Sequence, residues 1–166
     1  MKRHASLTLL SRDHHKVLLM AHQVRQGKLG ESRSHWEGDR ELQRDQILDY
    51  FDTQLRYHFE AEEEVLFPLA EQHLPQKEQI TSLLRKQHHQ VRNLVSELRT
   101  VKGVQLENLL LRMAHVLEEH IRKEERVFFK QIEERIPKES LAQCGEQIES
   151  YLQASEKNRV GSGDED

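Results

Sequence analysis

The stretch His58-Phe59-Glu60-Ala61-Glu62-Glu63-Glu64-Val65-Leu66-Phe67-Pro68 sets a histidine four residues ahead of a glutamate, inside a run of helix formers. Residues four apart on a helix share a face, with Cβ atoms about 5–6 Å apart, so one metal ion or a close pair of ions can touch both side chains. The arrangement returns at His120-Ile121-Arg122-Lys123-Glu124-Glu125-Arg126-Val127-Phe128-Phe129. Both the histidines (58 and 120) and the glutamates (62 and 124) are 62 residues apart. Apolar residues follow at matching places, so the repeat is wider than two coincident positions.

Working outward, the apolar spacing predicts helices throughout. The first covers about 7–26, with the stripe Leu7, Leu10, His14, Val17, Ala21, Val24, a cap from Ser6 or Ser11, and stops at Gly27 and Gly30. A polar loop over 28–39 holds the only tryptophan, Trp36, read as a loop anchor. The second helix runs from Asp39 or Arg40 to about His73, with the stripe Ile47, Phe51, Leu55, His58, Glu62, Val65, Leu69 and a kink or break expected at Pro68. The third covers about 76–101 (Ile80, Leu84, His88, Val91, Val95, Leu98) and stops near Gly103. The fourth covers about 104–135 (Leu106, Leu110, Met113, Leu117, His120, Glu124, Val127). A shorter fifth helix spans roughly 138–153.

The fold class expected is therefore all-α: an up-down-up-down four-helix bundle with an additional short C-terminal helix, one domain over 1–154, and a disordered acidic tail over 155–166. Arg12-Asp13-His14-His15-Lys16-Val17 resembles Lys86-Gln87-His88-His89-Gln90-Val91, which points to a duplicated helix pair.

Composition excludes several classes. A net charge of −4 with Lys and Arg interleaved among Glu gives no basic stripe for nucleic acid. No apolar run approaches the roughly 18 residues of a membrane span. Cys144 is the single cysteine, so no intrachain disulfide forms and a reducing cytoplasm is the default compartment. The 11 histidines, against 3 tyrosines and 1 tryptophan, say that imidazole is in use.

Each stripe is apolar except at one level, where the first and third helices place His14 and His88 and the second and fourth place His58 with Glu62 and His120 with Glu124. Counted from the turns, these six side chains meet in one layer near mid-height. Two buried carboxylates in one dry layer need positive charge, and no Lys or Arg lies on any stripe. Metal ions supply it best. Four imidazoles and two bridging carboxylates give about four bonds to each of two ions. Iron or manganese then keeps open positions, whereas tetrahedral zinc is nearly saturated. Mixed ligation with open positions points to two iron ions bridged by an oxo or hydroxo group, with manganese or zinc the poorer fits.

Asp13-His14, His58-x-x-x-Glu62-Glu63 followed by Leu66-Phe67-Pro68, His88, and His120-x-x-x-Glu124-Glu125 together resemble the haemerythrin-like proteins of the HHE cation-binding type, over about residues 7–132. The resemblance implies a four-helix bundle around a non-haem di-iron centre with His14, His58, Glu62, His88, His120 and Glu124 as ligands. Oxygen-carrying members use five histidines, a Glu and an Asp. The four histidines and Glu124 found here are closer to the branch that repairs iron–sulfur centres, whose extra N-terminal cysteine-containing domain has no counterpart in this chain.

His15 and His89 compete with His14 and His88 through a one-residue rotation of each helix. Glu63, Glu64 and Glu125 read as a solvated face from which any one could accept from a ligating imidazole. Tyr50 reads as a core aromatic near the same face, and Cys144 as inert. The function expected is binding or sensing O2, NO or peroxide at an open iron position. A di-iron enzyme or iron donor in oxidative and nitrosative stress is one alternative; iron storage is another. A homodimer is compatible with the sequence.

Overall fold

The computed structural model describes residues 3–28 and 39–160, and all of its regular structure there is helical. Five long helices follow in order: α1 (Ala5–Lys28), α2 (residues 40–73), α3 (Thr81–Thr100), α4 (residues 104–135) and α5 (Lys138–Val160). The loop holding Trp36 and the end of the acidic tail lie outside the described residues.

Local chemistry sets most boundaries. Asp39 caps α2, its carboxylate accepting from the backbone N–H groups of Glu41 and Leu42 at 3.0 and 3.1 Å. Neither serine caps α1. The helix opens at Ala5, two residues early, because the His4 carbonyl accepts from Leu7 N–H and the His4 ring Nδ1 accepts from Ser6 N–H. Residues 76–78 form a separate 3-10 turn, so α3 starts later than periodicity suggests. Between α3 and α4, Gly103 has φ +68° and ψ −148°, a region reserved for glycine. α5, expected to end near 153, continues to Val160, the last described residue.

Three widened turns interrupt the long helices, one at Phe51–Leu55 in α2 and two that reset the buried face beyond the polar layer. In α2 over Glu62–Leu66 and in α4 over Glu124–Phe128, the backbone bonds reach back five residues, Phe67 N–H to the Glu62 carbonyl and Phe129 N–H to the Glu124 carbonyl. Such π-turns add one residue to the turn and rotate everything beyond by about that much. Leu66 and Phe128 are therefore wholly buried, while the expected stripe residue Val65 is half-buried and Val127 is 42% exposed. Of the kink or break expected at Pro68, the break does not occur, and helix runs on to His73. Its missing N–H falls just after the π-turn, in the first turn of the resumed α-helix, where no such donor is needed. Pro68 does not cause the turn, since α4 makes the same one with Lys130 at the matching place.

α1 and α3 each lie along α4, and α2 lies against α1 and α3. The apolar interior has two halves. One gathers Val17, Phe51, Leu55, Val91, Met113 and Leu117; the other gathers Leu10, Leu66, Phe67, Leu84, Phe128 and Phe129. The polar layer of His14, His58, Glu62, His88, His120 and Glu124 separates them. α5 packs on its own chain, lying against α1 and the middle of α2, with Leu141, Cys144 and Ile148 joining the second half. Burial in this apolar wall pushes the Cys144 thiol up to about 11, which keeps it an unreactive thiol.

Gly145 allows that docking. A Cβ built on it would lie 2.5 Å from Ser6 Oγ and 3.0 Å from the Ser6 Cα on α1. Gly145→Val is expected to push α5 off α1 at a cost of about 1–3 kcal/mol. A thermal melt showing an unchanged midpoint would contradict that packing.

Candidate metal centre

All six side chains from the four stripes converge. His14, His58, His88 and His120 are at most 3% exposed, and Glu62 and Glu124 are fully buried. His15 and His89 are exposed, so the rotation that would have chosen them is not the one adopted. His22 and His115 are exposed as well.

The cluster contains two overlapping groups of potential ligands. One is His14, His58, Glu62 and Glu124; the other is His88, His120, Glu62 and Glu124. In each half, two imidazoles face each other Nε2 to Nε2 at 3.1 Å. Glu62 lies between the halves, its oxygens 3.2 Å from His58 Nε2 and 3.2 Å from His88 Nε2. Glu124 Oε2 is 3.1 Å from His14 Nε2 and 3.3 Å from His120 Nε2.

Every imidazole has an acceptor behind it. His14 Nδ1–H donates to Glu125 Oε1 at 2.7 Å, and His88 Nδ1–H to Glu63 Oε1 at 2.7 Å. His58 Nδ1–H donates to Asp13 Oδ2 and His120 Nδ1–H to Gln87 Oε1, both at 3.3 Å. With the proton held on Nδ1, each Nε2 turns a lone pair inward. This reconciles two observations: the inner nitrogens and carboxylate oxygens are within ion-pair distance, yet all four oxygens of Glu62 and Glu124 are buried without a hydrogen-bond partner. A nest of inward lone pairs and orphaned carboxylate oxygens fits a pair of cations.

Glu63 and Glu125 are thus acceptors for imidazole rather than a solvated face; only Glu64 is exposed. Each is balanced by an arginine. Arg92 binds both Glu63 oxygens, at 2.8 and 3.0 Å, and Arg3 pairs with Glu125. Burial alone would raise both carboxyls, but hydrogen bonds from His88 and Arg92 take Glu63 down to about 2. Those from His14 and Ser11, with the charge of Arg3, do the same for Glu125. Aromatic rings hold the outer imidazoles flat, Phe129 stacking on His14 at 5.5 Å and Phe67 on His88 at 5.5 Å. Phe59 stacks more closely on the other face of His88, at 3.8 Å.

With protons as the only counter-ions, the cluster competes for them. Burial opposes charge on every member. The Glu62 charge and Asp13 nevertheless lift His58 to about 10, and Glu124 with Glu125 lifts His14. Glu62 and Glu63 lift His88. Glu62 is held low by His58, whereas Glu124 is raised by burial and the Glu62 charge, and His120 is lowered by burial and by His88.

One turn beyond the cluster lies a small apolar cavity of about 20 Å³, open at its mouth. Val17, Leu55, Val91 and Leu117, three residues from the four histidines, line its near end. Tyr50 lines it too, and the Tyr50 hydroxyl is buried without a partner.

Among known families, the model of the hemerythrin HHE cation binding domain matches residues 5–132. No curated protein and no solved structure shows a significant match.

Proposed function

The chain belongs to the hemerythrin HHE cation-binding family, and from that premise we propose that it holds two iron ions and presents them to a small diatomic ligand or oxidant. The ligands are His14 and His58 on one ion, His88 and His120 on the other, with Glu62 and Glu124 shared. The observation that carries this reading is the set of four orphaned carboxylate oxygens enclosed by four inward-facing Nε2 atoms.

The spacing favours iron over zinc. For a metal–nitrogen bond of about 2.1 Å, ligands at right angles lie about 3.0 Å apart and tetrahedral ligands about 3.4 Å apart. The Nε2–Nε2 edges of 3.1 Å are closer to the octahedral value. Two imidazoles and two shared carboxylates then leave each ion short of six ligands. A bound iron pair supplies redox chemistry and an open position for O2, NO or peroxide.

The chain's own residues do the rest. The up-down-up-down order of α1 to α4 would bring one ligand-bearing turn of each helix to the same height. Asp13, Gln87, Glu63 and Glu125 hold the Nδ1 protons and keep the rings aimed. Phe67 and Phe129 exclude water on one side of the layer. The apolar cavity on the other side admits a small uncharged ligand, and the Tyr50 hydroxyl is free to donate to it. Such chemistry suits a cytoplasmic protein.

Protein purified from iron-rich medium and subjected to elemental analysis should contain about two irons per chain. Metal-free protein that gains none on reconstitution would overturn the reading, and a content well above two would favour storage instead. Steady turnover of NO or peroxide would favour an enzyme. Because protons and metal compete for the same imidazoles, iron should be released below about pH 6. An absorbance spectrum unchanged from neutral pH to pH 5 would contradict this.

A further inference from the structure

We propose that the two cation positions are unequal by construction: the His14/His58 position binds first and tightly, and the His88/His120 position is the weaker, exchangeable one. This rests on the two-ion reading above. The halves of the site match in nearly every contact. Nε2–Nε2 distances are 3.1 Å in both, outer acceptor distances 2.7 Å in both, and inner acceptor distances 3.3 Å in both. Leu10 pairs with Leu84, Val17 with Val91, and Phe67 with Phe129 at the repeat spacings.

Against that background one buried difference bears directly on charge at a ligating ring. The residue behind His58 is Asp13, while the matching residue behind His120 is Gln87. Both accept from Nδ1 at the same distance, so the difference is charge rather than geometry. Asp13 is 8% and Gln87 7% exposed, so solvent does little to screen it. Lys16, the cation nearest Asp13, is 3.9 Å away and half-exposed. The outer carboxylates do not offset this, because Glu63 has Arg92 to itself, whereas Glu125 shares Arg3 with Glu133. A carboxylate behind a ligating imidazole makes the ring a stronger donor, and losing such a partner typically weakens metal binding about 10–100-fold. Phe59, which stacks on His88 at 3.8 Å, has Ile121 as its match in the repeat, and neither carries a charge. One half thus offers an additional buried negative charge to a cation and the other does not.

Cobalt(II) added stepwise to chelated, metal-free protein tests the order. His14 and His88 would bind different ions, so the contact-shifted Nδ1–H proton NMR signals of their rings report the two positions separately. In the wild type, the His14 signal should appear through the first equivalent and the His88 signal through the second. Asp13→Asn should weaken the first step about 10–100-fold. Gln87→Glu, which adds charge at nearly constant shape, should tighten the second step and draw the two together. The double variant should reverse the order of the two signals. Two cobalt ions bound with both signals appearing in parallel, or an order unmoved by Gln87→Glu and by the double variant, would overturn the inference while leaving the two-ion reading intact. No cobalt binding would overturn both.

Discussion

Glu62→Ala should strip metal from both positions, lowering the content from about two per chain to less than one, whereas His14→Ala should leave the other position able to load. The difference follows from where the side chains reach. His14 meets only His58 and Glu124 across the cavity, so its loss takes one donor from one half. Glu62 places one oxygen 3.2 Å from His58 Nε2 and the other 3.2 Å from His88 Nε2, so it serves both halves. Glu124 also reaches both halves, through a single oxygen 3.1 Å from His14 Nε2 and 3.3 Å from His120 Nε2, and Glu124→Ala should behave as Glu62→Ala does. Each carboxylate also supplies a negative charge that the cations neutralise; without it two divalent ions in one dry layer repel each other with too little compensation. Metal analysis of the three variants, with circular dichroism to establish that each retains its helices, checks the ranking. If folded Glu62→Ala protein kept two ions per chain, the shared-carboxylate arrangement would be wrong.

The core of this site was legible because helices repeat at close to four residues. His58 with Glu62 and His120 with Glu124 fall on one face wherever the helix starts, and the apolar residues around them say that the face is inward. That His88 rather than His89 faces inward was legible for the same reason, since Val91 lies three residues beyond the first and Arg92 beyond the second; His14 and His15 are followed by Val17 and Leu18, both apolar, so spacing alone does not separate them. What spacing could not show was the register beyond the site. The π-turns at Glu62–Leu66 and Glu124–Phe128 have no composition that marks them, so Val65 and Val127 looked like stripe residues while Leu66 and Phe128 took the buried places. A signal did exist for Glu63 and Glu125. Each follows a ligand-type glutamate in both copies of the repeat, and a charged residue kept in both copies has a reason beyond solubility. The partnership of Asp13 with His58 joins residues 45 apart in the chain and depends on helix packing, which periodicity within one helix does not encode. α5 outran its expected end because the stretch after Gln153 is polar but holds no Gly or Pro until Gly161, and polarity alone does not end a helix.

Stability should depend on pH with opposite signs in the metal-free and metal-loaded protein. In the chelated protein, His58 has its pKa raised from 6.5 to about 10, and His14 and His88 are raised as well. A base whose folded pKa lies above its unfolded one contributes fully below pH 6.5 and loses that contribution as pH climbs toward 10. Glu124, raised above 4.5, has the same sign. Opposing them at the acid end, Glu62, Glu63 and Glu125 are depressed, Glu63 and Glu125 to about 2, so their contribution is present above pH 4.5 and lost below it. His120, lowered by burial, also favours higher pH, but only below 6.5. The metal-free protein should therefore be most stable between about pH 4.5 and 6.5 and weaken on the alkaline side. Loading reverses that slope in the same range. Cations take the places the protons held, and the bound state gains as the imidazoles deprotonate, so the loaded protein should become more stable from pH 5 to pH 8. One pKa unit corresponds to about 1.4 kcal/mol, and a chain of this length shifts its melting midpoint by roughly 2–4 °C per kcal/mol, so the two curves should diverge by several degrees. Thermal melts of both forms at pH 5, 6.5 and 8 make the comparison. Parallel curves would mean that protons and cations do not contend for His14, His58 and His88, and the exchange of one kind of positive charge for the other at Glu62 and Glu124 could not be what organises this core.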